Sequence, residues 1–318
     1  MVKAVSFLLY LFFIINLFYH RLENMKKPTF CLALCCVLIP ACSVNKMAVK
    51  AVSDILSKEG SSYVFTSDSD PRLVGDALPF AIKMYESLLM ANPRHQGLLR
   101  TTGSLFVMYA SAFVQMPAEQ LPREMYGERQ AAMERAKKLY LRGLELLYRS
   151  LELKKDDVPS LYWAAAAGLS AYSLNPFDLS LGSRIHEFLA LVESAYILDP
   201  NFNSGALDDL LLLYYASVPE FLGGDKSIAE IHFQRALEKS GGLLASPYVS
   251  YAQAISIPKQ DYATFKVHLD AALAIDPDAD PENRLVNIIF RQKAQYLLDS
   301  AALFFVDYGT DYDWDKDW

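Results

Sequence analysis

Cysteine is almost absent from this chain: all four, Cys31, Cys35, Cys36 and Cys42, fall within the first 42 of its 318 residues. The chain beyond Cys42 therefore has no disulfide, thiolate nucleophile or cysteine metal ligand. Histidine is scarce as well. Beyond Cys42 only His95, His186, His232 and His268 occur, scattered, with no HExxH pair, Walker loop or nucleophile motif. Neither catalysis nor a metal or other cofactor is expected. Basic residues are outnumbered, 30 Lys and Arg against 37 Asp and Glu for a net charge of −7, which argues against nucleic acid as a partner. Period-two alternation is also missing after Cys42, so no run of strands is expected. Disorder is excluded for most of the chain, because 53% hydrophobic against 21% charged residues is ample for a core.

Long hydrophobic runs are confined to the first 41 residues. Met25-Lys26-Lys27, the apolar stretch Phe30 to Ile39 and then Pro40-Ala41-Cys42 have the layout of a signal peptide. The apolar stretch is too short to span a bilayer, which needs about 20 residues. Ile39-Pro40-Ala41-Cys42 resembles a lipobox, making Cys42 the expected site of lipid attachment, with ordinary secretory cleavage as the alternative. The earlier run, Val5 to Tyr19, reads as a start assigned too far upstream or as an N-terminal membrane helix. The expected organisation is thus a signal region over 1–41, with 1–24 a mis-assigned start and 25–41 the signal peptide. Next come a lipidated N-terminus with a first helix and linker over 42–70, a helical domain over 71–306 and an acidic-aromatic tail over 307–318. Removing residues 1–41 takes away a net +3 and leaves the body at −10.

The body is rich in 3.6-residue periodicity. Leu78, Ala81, Ile82, Tyr85 and Leu89 share one helix face, Ile185, Phe188, Leu189, Val192, Ala195 and Tyr196 a second, and Tyr262, Phe265, Leu269, Ala272 and Leu273 a third. Helices stop at Asn92-Pro93, Asp199-Pro200 and Asp276-Pro277, because proline cannot continue a helix and pushes the residue before it toward extended geometry. Two more run out at Lys154-Lys155 and Gly241-Gly242. The five joints lie 62, 45, 41 and 36 residues apart, lengths that bracket helical-hairpin repeats. The predicted fold is all-α, a tetratricopeptide-like solenoid of about five degenerate helix pairs. Gln115–Gly127, with Pro117 and Pro122, and Gly60–Asp70 read as surface loops.

Candidate functional residues come from three places. Tyr162-Trp163, standing before Ala164–Gly168, either pack a close helix crossing or line a tunnel, with Asp178 supplying polarity at the far end of the helix and Tyr214-Tyr215 continuing the wall. Gly223-Gly224-Asp225-Lys226 suggests a phosphate cradle but lacks P-loop spacing; Ser227 with Glu230 reads as a capping box. Asp225 and Lys226 stay as ligand candidates at that joint. Bulky residues at Ala165 or Ala166 are expected to overpack the crossing.

The run Asp70-Pro71-Arg72-Leu73-Val74-Gly75-Asp76-Ala77-Leu78-Pro79-Phe80-Ala81, with Arg135–Gly143, Tyr162-Trp163-Ala164-Ala165-Ala166 and Ser246-Pro247-Tyr248-Val249, resembles the T-component (TatT) family of TRAP transporters, from about Asp54 to Phe305. The resemblance implies a periplasmic lipoprotein of tetratricopeptide-like hairpins, anchored to a membrane by its lipid. It implies docking to the substrate-binding P-subunit, and a pore through which a small organic carboxylate is held or passed. It also implies homo-oligomers, a trimer among them. The rival expectation is a scaffold for envelope protein assembly that binds no ligand.

Overall fold

The computed structural model describes residues 46–58 and 60–307. Signal region, Cys42 and the tail beyond Asp307 lie outside the described residues. Two units are distinguished, and in the first, ending at Val52, residues 46–52 are helical. The second unit, from Ser53 on, is all-helical, with no strand among the described residues.

Ten longer helices make up its frame, and they fall into five pairs: α1 (Pro71–Ala91) with α2 (Gln96–Ala110), α3 (Tyr126–Leu153) with α4 (Val158–Ser173), α5 (Ile185–Leu198) with α6 (Ala206–Ser217), α7 (Lys226–Ser240) with α8 (Ser246–Tyr251), and α9 (Tyr262–Ala274) with α10 (Arg284–Asp299). Every joint expected from the sequence falls between the two members of a pair. The local reasons are visible at the helix starts. Asp70 accepts hydrogen bonds from the backbone N–H of Arg72 and Leu73 at 2.9 and 3.1 Å, with Pro71 in the first turn. Asp157 caps α4 and Asp261 caps α9 in the same way, each satisfying a donor that has no partner within the helix.

Even-numbered helices touch their even neighbours in turn, α2 to α4, α4 to α6, α6 to α8 and α8 to α10, while the odd helices α3, α5, α7 and α9 each pack between two of them. The even helices thus form the inner row. Small residues let the odd helices approach closely: a Cβ on Gly103 of α2 would come within 2.6 Å of Leu147 on α3, and one on Gly168 of α4 within 2.4 Å of the Phe188 ring on α5. Ala165 is wholly buried, whereas Ala166 is partly exposed.

The ends of this unit meet. Helix α10 packs on α1, and Leu285 and Ile289 share a core cluster with Leu78, Ile82 and Tyr85. Lys293 pairs with Glu119 at 3.2 Å, Tyr296 donates to the Glu119 carbonyl at 3.2 Å, and Arg284 donates to the Ser67 carbonyl at 2.7 Å.

One loop expectation needs correction. Residues 115–127 are mostly helical, with Met116 and Ala118 buried. Pro117 has no N–H to give the preceding turn, so the helix widens into a π-turn over Ser111–Gln115 in which Met116 N–H reaches Ser111 O, and then continues as Met116–Glu119. Pro258 has the same effect on α8: Ala252–Ser256 is a π-turn and Ile257 N–H reaches Ala252 O. Proline signals a loop in the sequence, but here the chain absorbs it by one wider turn. Within 60–70, Tyr63–Thr66 form one helical turn, and Phe65 packs against the first core cluster.

Candidate functional site

The sequence-predicted candidates do not converge on one place. Tyr162 and Trp163 sit edge to face on α4, with ring centroids 5.0 Å apart, and Tyr214 and Tyr215 do the same on α6 at 5.1 Å. Both pairs belong to one core cluster. Tyr214 is buried and donates to the Leu222 carbonyl at 3.2 Å, a structural role. Asp178 lies past the other end of α4, where it caps the short helix Leu179–Gly182 and pairs with Lys137 at 2.7 Å, an ion pair and hydrogen bonds that hold its carboxyl well below the usual carboxylate range.

Asp225, not Ser227, caps α7, accepting from the backbone N–H of Ser227 and Ile228 at 2.7 and 3.2 Å; the expected capping box is replaced. Glu230, its other supposed member, instead receives the Tyr251 hydroxyl at 2.9 Å. Lys226 lines an open surface depression of 320 Å³ with Ser227, Glu230, Ile231 and Lys259. His232 and His268 are not brought together, and among the described residues no cluster of three metal-ligating side chains forms. Cys42 falls outside the described residues.

The most unusual chemistry lies at a pair of residues that sequence reasoning misses, Asp208 and Asp209 in the first turn of α6. Asp208 is wholly buried and held by His232 Nδ1 at 2.7 Å and Lys239 Nζ at 2.6 Å. Burial acts to raise its pKa, but the hydrogen bonds and charges of His232 and Lys239 outweigh it and the net direction is down. Lys239 also reaches the Tyr196 hydroxyl at 3.0 Å and the Pro200 carbonyl at 2.6 Å, and Tyr215 stacks on the His232 ring with centroids 5.7 Å apart.

Asp209, one residue on, faces a different environment. Its Oδ1 is buried and has no hydrogen-bond partner. Burial pushes its pKa up, and the nearby hydroxyls of Ser250 and Ser246 on α8 offset this only in part. The negative charge of Asp209 is felt by Tyr162 on α4, whose phenol is pushed up first by burial and then by that charge. Tyr162 in turn packs on Phe202, with centroids 5.4 Å apart. Phe202 begins a turn in which Asn203, Ser204 and Gly205 all have positive φ (47°, 53° and 94°), a run that strains its two non-glycine members. Tyr162 and Asp209 are each only partly exposed, and the Asp209 Oδ1 atom itself is buried. A run such as Ala206-Leu-Asp-Asp-Leu-Leu-Leu-Leu, two acids opening an apolar helix, is the signal that could have found this pair of acids.

The sign of the Asp209 shift gives a test. A carboxyl whose folded pKa is raised contributes stability that is present below its unfolded value of 3.8 and is lost as pH rises through the folded value. Asp209→Asn, which mimics the neutral acid, is expected to stabilise the protein at pH 7 by on the order of 1 kcal/mol. Melts at pH 4 and pH 7 check this: the advantage over the parent is expected at pH 7 and absent at pH 4, and a variant melting lower at both would refute it.

The fold defines an all-α protein whose last long helix packs on its first. The profile of the TRAP transporter T-component family matches residues 67–156 and 151–305. An uncharacterized protein of Treponema pallidum (strain Nichols) is 32% identical, over 89% of this chain and 100% of its own length. The chain belongs to the TRAP transporter T-component family.

Proposed function

We propose that the chain is a lipoprotein, anchored through Cys42 on the periplasmic side of a membrane, whose tetratricopeptide-like hairpins dock the substrate-binding P-subunit of a TRAP system and hold a small organic ligand inside the helical body. Family membership supports the transport role. The ring cluster of Tyr162, Trp163 and Phe202, only partly exposed in the helical body, supports the ligand-holding part, because sites for small organic ligands are lined mainly by aromatic and apolar side chains. Docking is supported by apolar side chains that stand out from two loops joining an inner helix to the next outer one: Phe177 (92% exposed), Leu179 (87%) and Phe221 (85%). Anchoring by lipid accords with the described residues, among which no helix is long and apolar enough to cross a membrane.

Sedimentation velocity on the purified full chain mixed with the substrate-binding protein of its TRAP system tests docking. A discrete complex of defined stoichiometry is the expected result, and the chain alone reports whether it self-associates. No complex at tens of micromolar, a range where about 6–7 kcal/mol of binding would show, would favour the scaffold alternative.

A further inference from the structure

We propose that the acidic-aromatic segment 308–318 folds back within the same molecule onto the surface depression lined by Lys226, Ser227, Glu230, Ile231 and Lys259. Trp314 lies against Ile231 in this arrangement, and Asp313 and Asp315 on either side of it pair with the two lysines. The proposal is independent of the transport role and of any ligand held in the helical body.

The depression calls for an occupant of this chemistry. At 320 Å³ and open to the surface, it suits a segment laid across it better than a small molecule, which binds where most of its own surface is enclosed. Two elements supply its cations, Lys226 at the start of α7 and Lys259 in the short helix Ile257–Lys259, and among the described residues neither pairs with a carboxylate. The acids nearby are engaged elsewhere. Glu230 receives the Tyr251 hydroxyl at 2.9 Å, Asp225 the backbone N–H of Ser227 and Ile228, and Asp261 that of Thr264 at 3.0 Å. Ile231 adds an apolar floor that is half-exposed. Residues 308–318 bring the complement, four aspartates against one lysine, interleaved with Tyr312, Trp314 and Trp318. A carboxylate beside an ammonium and an indole on an aliphatic side chain or a lysine are favourable pairings.

Where the described chain ends decides between this segment and an acidic partner. Gln260, the residue after Lys259, donates its Nε2 to the Phe304 carbonyl at 2.8 Å and accepts the Val306 N–H at 3.1 Å. Phe305 is buried against Tyr262 and Phe265, with centroids 5.5 and 4.8 Å away. The segment therefore leaves the body beside Lys259, and the seven residues from Tyr308 to Trp314 can extend over roughly 23 Å. Exposed ion pairs are weak, but a short tether gives an effective concentration on the order of millimolar, at which weak contacts suffice. A separate partner has no such help.

Fluorine NMR of the full chain labelled with 5-fluorotryptophan reads Trp163, Trp314 and Trp318 separately, with Trp314→Phe and Trp318→Phe fixing the assignment. Lys226→Glu with Lys259→Glu is expected to raise the broadening of the Trp314 signal by the neutral chelate gadodiamide at least about twofold, and Asp313→Lys with Asp315→Lys to do the same without altering the body. An unchanged Trp163 signal shows that each variant is folded. The proposal is overturned if either pair of reversals leaves the Trp314 broadening as it was, or if Trp314 in the parent is as accessible as in a free peptide of residues 308–318. Protection that appears only as the protein concentration rises also overturns it, since the segment would then be seated on a second copy.

Discussion

Asp208→Ala is expected to lower the unfolding free energy by about 3 kcal/mol, the usual cost of removing one member of a buried ion pair. Asp208 has no exposed surface and holds both His232 and Lys239. Without it, Lys239 is left with only the neutral oxygens of Tyr196 and Pro200. For a body of this size the loss corresponds to a fall in melting temperature of roughly 6–12 °C. Replacing both partners, Asp208→Leu with Lys239→Met, should recover much of it, because the desolvation of two charges is then avoided along with their attraction. A depressed folded pKa also sets the pH dependence: the stabilisation is present above the unfolded value of 3.8 and is lost as pH falls through the lower folded value. The gap between parent and Asp208→Ala melts should therefore be widest near neutrality and shrink in strong acid. A gap equal at pH 7 and pH 2 would show that lost packing, not charge, is responsible.

Gly224→Ala is expected to be comparably severe, at about 3 kcal/mol, although it adds a single methyl to an exposed turn. A Cβ at this position would lie 1.7 Å from the Val218 carbonyl oxygen and 2.7 Å from its carbon, so the backbone itself must move. That backbone is not free to do so. Gly224 N–H donates to Pro219 O at 3.1 Å and Asp225 N–H to Tyr215 O at 2.9 Å, which tie the turn to the end of α6 and set Asp225 in place to cap α7. Gly241→Ala, at the far end of α7, serves as the contrast: its φ of 60° strains an alanine, but a Cβ there meets nothing within 4 Å. Thermal melts of the two variants decide the matter, and a Gly224→Ala protein melting within a degree or two of the parent would remove the steric account of this turn.

The Gly223-Gly224-Asp225-Lys226 motif shows how far the sequence can be read. That glycines end one element and a cap begins the next is a local matter, and it is legible. Which residue caps is not, because both Asp225 and Ser227 are good cap residues and the choice depends on how α7 is held against its neighbours. Pro117 and Pro258 teach a similar lesson: a proline's missing N–H is certain from sequence, but whether the chain responds with a loop or a π-turn depends on whether the adjacent residues, here Met116 and Ala118, have a core to enter.

The candidate site was legible only in part. Tyr162 and Trp163 stand out because large rings beside a run of alanines are conspicuous. Asp178, Asp225 and Lys226 stand out because charge at a joint is conspicuous too, yet these are a helix cap paired with Lys137, a second cap, and the rim of a surface depression. Asp209 draws no attention, since an acid in the first turn of a helix has an ordinary explanation.

The sequence by itself determined the all-helical class and the five joints, because caps, prolines, glycines and apolar periodicity act over a few residues and carry their meaning with them. Only the tertiary structure decided that the last helix returns to the first, and that of two adjacent aspartates one is held by Lys239 and His232 while the other keeps a buried oxygen without a hydrogen-bond partner. Each of those outcomes is set by groups that come from distant stretches of the chain. The 100° turn between neighbouring helix positions sends identical side chains into opposite surroundings, and no local pattern records which is which.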